Sequence, residues 1–166
     1  MEKKMNADSF RYLYEYHFSE NRTLVDLCIS SLTREQFTRE ADYSHGSVCN
    51  QVVHLMNVDE VWFSDLRGIK PSATEDLADY SDWNNIRSKW ELVEQDMRDY
   101  LADLRDDMLF KKPFAEGEDK DLILWQVLLH VVNHGTDHRA QTLRMLHDFG
   151  VKTTSQDFVF YVYDHI

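Results

Sequence analysis

The residues of this chain best suited to chemistry are three histidines at one spacing, in His130-Val-Val-Asn-His134-Gly-Thr-Asp-His138-Arg139. Neutral imidazole is the commonest protein ligand for transition metals. A repeat of four inside an apolar run of helical period stacks the rings on one helix face. At about 1.5 Å rise per residue, His130 and His138 stand about 12 Å apart along the axis, whereas a zinc–nitrogen bond spans about 2.0–2.1 Å. One ion can therefore take His130 with His134, or His134 with His138, but not all three. The remaining donor must come from another part of the chain. No Glu follows His130 or His134, so this is not the H-E-x-x-H pattern of zinc proteases.

The elements that must position these side chains are long helices. Only five Gly and two Pro occur in 166 residues, which argues against a turn-rich β fold. Phe10, Tyr14, His17, Asn21, Leu24 and Cys28 trace the apolar stripe of a first helix from about Asp8 to Ser31. His17 and Asn21 are its polar members, and His17 is placed at the stripe's edge because nothing in the sequence pairs it. Thr33 with Gln36 has the form of a capping box over a short helical turn. Ser47 caps a second long helix whose face runs Val48, Val52, Leu55, Met56, Asp59, Trp62, Phe63 and Leu66, and Gly68 ends it. After a polar link from about Lys70 to Tyr80, Ser81 or Asp82 caps a third, predicted to reach about Met108. The segment from Phe110 to Lys120 reads as a hairpin or irregular loop, and the histidine-bearing helix ends at Gly150. Phe158, Tyr161 and Val162 suggest a short terminal helix covering one end of the core. Four long amphipathic helices with short to medium links predict an all-α four-helix bundle, in which sites are built from facing helices. One domain over residues 1–166 accounts for the chain.

Off the last long helix, the further donors are His17, His45, His54 and His165. His45 falls in a loop and His165 beside the C-terminus, where chains fray. His54 lies mid-helix between core residues and is preferred. At this point the sequence resembles the DinB-like (YfiT-like) family of small metal-binding proteins. The resemblance rests on Tyr16-His-Phe-Ser-Glu-Asn21-Arg-Thr-Leu24-Val25, on Gly46-Ser47-Val48 through His54-Leu55 and Glu60-Val-Trp62-Phe63, and on Leu129-His130-Val-Val-Asn133-His134 through His138-Arg139-Ala140-Gln141. It implies an up-and-down bundle of unusual connectivity, a divalent metal held by His54, His134 and His138, and homodimers. Ala140 stands where the family has Gly after His-Arg, a small change that bears on packing, and Asp137 stands where relatives often carry His or an aromatic. Neither departure removes an implied ligand. His130, Asp137 and Arg139 remain as residues lining the pocket or standing behind the ligands, with Asp137 read first as an exposed charge because neighbours in sequence do not share a helix face.

Three imidazoles with open positions match a catalytic rather than a closed zinc site. Zinc or nickel comes first, with iron, cobalt or manganese also compatible. The open position could ionise water into a nucleophile or hold a thiol as thiolate. The family resemblance implies thiol-dependent transferases and metal-dependent hydrolases. The expected function is transfer to or from a small molecule with a low-molecular-weight thiol; the alternatives are a hydrolase using metal-bound hydroxide, and a non-enzymatic metal-binding stress-response protein. Tyr14, Trp62 and Trp125 are candidate pocket walls. A net charge of −12 disfavours nucleic acid and anionic membrane as partners. Two cysteines, Cys28 and Cys49, without C-x-x-C, and an N-terminus lacking an apolar leader are read as cytoplasmic.

Overall fold

A computed structural model describes residues 6–71 and 82–166, and among these it holds six α-helices and no strand. Four are long: α1 (Ala7–Ser31), α3 (Val48–Arg67), α4 (Trp83–Ala102) and α5 (Leu124–Asp148). Two are short: α2 (Arg34–Thr38) and α6 (Phe158–Asp164). The link expected from Lys70 to Tyr80, and Ser81 as a cap, fall largely outside the described residues.

Local sequence explains most of the boundaries. Asn6 accepts the Ser9 backbone N–H at the start of α1, and Ser47 accepts that of Asn50 at the start of α3. Each satisfies a first-turn donor that has no intrahelical partner. Thr33 and Gln36 form the reciprocal capping box around α2. Gly68, at φ 66°, takes the left-handed conformation that closes α3. Asp82 caps α4.

The third long helix stops earlier than its apolar stripe suggests, at Ala102 rather than near Met108. Leu104 and Leu109 are buried, but in successive turns rather than in helix. Arg11 of α1 donates to the Leu101 and Leu104 carbonyls, and Asp106 accepts the Ala7 backbone N–H. Carbonyls a longer helix would have satisfied are thus taken by a residue distant in sequence.

In the packed structure α1 lies against both α4 and α5, and α3 lies against the same two helices. Their apolar stripes meet in one core that includes Phe10, Tyr14, Leu24, Val52, Leu55, Met56, Val93, Leu128 and Val131. Tyr14 is fully buried and donates to the Leu128 carbonyl. It is therefore a core residue and not the pocket wall expected of it, its hydroxyl satisfied inside the protein. The terminal element is a helix as expected, but no residue of α6 is buried. It rests on Tyr12 and Tyr16 of α1 through Phe158 and Tyr161, leaving Phe160 and Tyr163 exposed. No helix among the described residues is long and apolar enough to cross a membrane.

Candidate metal centre

α3 and α5 present their histidines to each other. His54 of α3 faces His134 and His138 of α5, with ring centroids 5.0 and 4.5 Å away. The Nε2 atoms of His54 and His134 are 3.1 Å apart. Two neutral imidazoles reach that separation when one donates its N–H to the other, or when both aim lone pairs at one cation. Two nitrogens each about 2.1 Å from a tetrahedral ion would be about 3.4 Å apart, so the pair needs little movement to serve one. His130 is exposed; its ring packs beside Trp62 at 5.2 Å, with His134 at 5.9 Å.

The structure adds a histidine that the sequence reading set aside. His45, in the loop before α3, stacks on His54 at a centroid distance of 3.9 Å and lies 5.2 Å from His138. Ring nitrogens of His45, His54 and His138 all lie within 4.8 Å of one another, a group that could hold a metal ion. Placing a loop histidine here takes a specific turn. Gly46 adopts φ 90°, and Asn50 donates to the His45 carbonyl at 2.9 Å.

Electrostatics favour the ligand form of these rings. Burial, then neighbouring His45, His138 and His134, pushes His54 down to about 4. Burial and then His138 push His134 down to about 4 against an opposing pull from Asp59. Burial lowers His138 as well. At neutral pH these rings are uncharged and their lone pairs available, as metal ligation requires. One tautomer is also fixed from behind. His138 Nδ1 donates to Gln51 Oε1 at 3.1 Å, which leaves Nε2 as the donor atom. Gln51 is fully buried and itself donates to Gln141 Oε1 at 3.2 Å; Ser44 donates to the same oxygen, and Asp137, otherwise exposed, accepts from Gln141 Nε2. Asp137 thus reaches His138 by hydrogen bonds through Gln141 and Gln51, and its charge also acts on His134 and His138, pulling both upward.

Beneath the histidines lies a second polar cluster. His17, read from sequence as sitting at a helix edge, is fully buried with Asn21, Asp59 and Arg139. Its partners come from α3 and α5, which is why the sequence of α1 alone did not reveal them. A guanidinium can only donate, so the contact from Arg139 Nη1 at 3.1 Å makes His17 Nδ1 the acceptor. The proton then sits on Nε2, which donates to Asp59 at 2.9 Å. Asn21 is oriented the same way, accepting from Arg139 at 2.8 Å and donating to Asp59 at 3.3 Å. The 3.1 Å contact between Asn21 Nδ2 and His17 Nε2 is accordingly two donors sharing one carboxylate rather than a hydrogen bond. His17 and Asn21 thus bridge a buried cation and a buried anion. Arg139 also donates through Nε to Gln156, whose carbonyl accepts from Tyr16, so the same cluster pins the segment after α5. Arg139 is a structural tie next to a ligand rather than a pocket wall.

Gly135 makes room for this cluster. A Cβ there would lie 2.5 Å from His17 Cε1 and 3.0 Å from Arg139 Nη1. Gly135→Ala gains about 1 kcal/mol of helix propensity but overpacks a filled core at a typical cost of about 1–3 kcal/mol and displaces the His17–Arg139 bond. We expect a lower melting temperature by calorimetry. An unchanged or raised melting temperature would show that the cluster is looser than its distances indicate.

With the geometry in place, the comparison with known families is direct. Residues 1–165 match the model of the DinB family, and the chain belongs to that family. No curated protein matches it.

Proposed function

We propose that this DinB-family chain binds one divalent metal through His54, His134 and His138 and is a transferase that activates a low-molecular-weight thiol toward a small electrophilic substrate. The observation that carries this reading is the convergence of uncharged imidazoles from α3 and α5, one of them fixed in tautomer by Gln51. Nitrogen-only donors suit zinc or nickel best and also accept iron, cobalt or manganese. When bound, such a metal supplies Lewis acidity, which lowers the pKa of a coordinated thiol or water.

The chain's own side chains do the rest. Gln51 and Gln141 hold His138 in orientation, and Trp62 with His130 forms an open flank beside His134. Neither cysteine is a credible nucleophile: burial pushes the Cys28 thiol up to about 12 and the Cys49 thiol up to about 11. A reactive thiolate would therefore come from outside the chain, which favours an exogenous thiol substrate. We read the four long helices as a four-helix bundle of DinB type forming one domain with α6 appended. The exposed aromatics Phe160 and Tyr163 of α6 support a homodimer, and two cysteines that form no disulfide support the cytoplasm as its compartment.

The test combines metal-loaded protein, a low-molecular-weight thiol and a panel of electrophiles. We expect metal-dependent thiol consumption, read with a thiol-specific dye. Hydrolysis of an ester or amide panel without thiol consumption would replace this reading with a hydrolase. Stoichiometric metal with neither activity would leave a non-enzymatic binder.

A further inference from the structure

We propose that His45 is a fourth, removable donor to the metal site, closing it in the resting protein and yielding its place to an incoming thiol. This deepens the metal-binding reading above and rests on it.

Three observations carry the inference. First, the His45 ring is already at the site: it stacks on His54 with 26° between the ring planes and shares the 4.8 Å nitrogen cluster with His54 and His138. Second, its loop is built to hold it there. Ala41 donates its backbone N–H to the Gly46 carbonyl at 2.6 Å and Gly46 to that of Tyr43 at 3.0 Å, while Asn50 of α3 fixes the His45 carbonyl. Third, the loop is tied to a ligand. Ser44 donates to Gln141 Oε1, Gln51 donates to the same oxygen, and His138 donates to Gln51. A relay of three side-chain hydrogen bonds thus links the residue before His45 to the Nδ1 of His138.

The donors differ in how firmly they are held. His54, His134 and His138 stand on long helices and are partly buried, whereas His45 is exposed on a loop. Four nitrogen donors complete the closed tetrahedral set of a structural zinc site, and a site open to substrate needs one position free. Of the four, the loop histidine can leave without disturbing a helix. The thiol that takes its place binds as thiolate, its proton passing to solvent.

The test uses the full chain loaded with cobalt(II), whose visible absorption reports coordination number and donor type. His45→Ala removes the donor, and His45→Phe keeps a ring to stack on His54 without offering a nitrogen. We expect both variants to fold, because His45 is exposed, and to show an altered cobalt spectrum with affinity reduced by about tenfold or more in chelator competition. We also expect 2-mercaptoethanol to bind the cobalt form of either variant about tenfold more tightly than wild type, since no ligand must first be displaced. Spectra, metal affinity and thiol affinity all equal to wild type would overturn the proposal. A His45→Phe protein that behaves as wild type while His45→Ala does not would reduce His45 to a stacking role and overturn it equally. Folded wild-type protein that takes up no cobalt would instead remove the metal-binding reading itself.

Discussion

His54→Ala is expected to leave a folded protein that no longer retains a metal. His54 is the donor from α3 in the proposed set, and without it both remaining helix-borne ligands belong to α5, with only the removable loop histidine His45 beside them. Two imidazoles one turn apart on one helix hold a divalent ion far more weakly than a set that clamps it between helices, because the second helix no longer contributes to a pre-organised site. Loss of a partner behind a ligand costs about 10–100-fold in metal affinity, so loss of the ligand itself should exceed that range. The fold should survive, since His54 is only partly buried and its side-chain hydrogen bond is to another ligand, His134. Gln51→Leu provides the graded comparison: it leaves His54, His134 and His138 in place but frees His138 Nδ1, and should fall within the 10–100-fold range. Competition with a chromophoric chelator measures both. If His54→Ala holds metal as tightly as wild type, the site lies elsewhere; if Gln51→Leu equals wild type, the glutamine does not set the tautomer.

Much of this arrangement can be read along the chain, and the limits follow from where partners lie. The histidine repeat on α5, the Ser47 cap and the Thr33–Gln36 box depend on residues a few positions apart, and periodicity or cap chemistry exposes them directly. The end of α4 depends on Arg11, distant in sequence, taking up the last carbonyls, so an apolar stripe continuing to Leu104 overstates the helix. His17 and Asn21 interrupt the stripe of α1, and Asp59 interrupts that of α3. Polar gaps in two facing stripes are the signal that these residues meet; within α1 alone, His17 has no visible partner. His45 carries no such signal, because loops scatter more side chains than they place. The turn at Gly46 and the Asn50 contact with the His45 carbonyl are what make this loop an exception.

The buried cluster carries the second large effect. Arg139→Met removes the cation that faces Asp59 through His17 and Asn21, and it does so where all four residues are excluded from solvent. Burial already pulls the Arg139 guanidinium down from its ordinary value, countered by Tyr16 and Asp59; the charge is tolerated because its hydrogen bonds are filled. Without it, the Asp59 carboxylate is left in the core with two bridging side chains whose acceptors have lost their donor. Breaking one side of such a pair costs about 3–5 kcal/mol, which for a chain of this size lowers the melting temperature by about 6–20 °C. The segment after α5 should loosen too, since Arg139 no longer holds Gln156, and amide exchange there should quicken. The double variant Arg139→Met with Asp59→Leu separates this account from simple loss of packing. Replacing both charges by apolar groups removes the stranded carboxylate, so the double variant should be more stable than the sum of the single effects predicts. Strict additivity in that cycle would mean that the two charges do not compensate each other, and that His17 and Asn21 merely fill space between α1, α3 and α5.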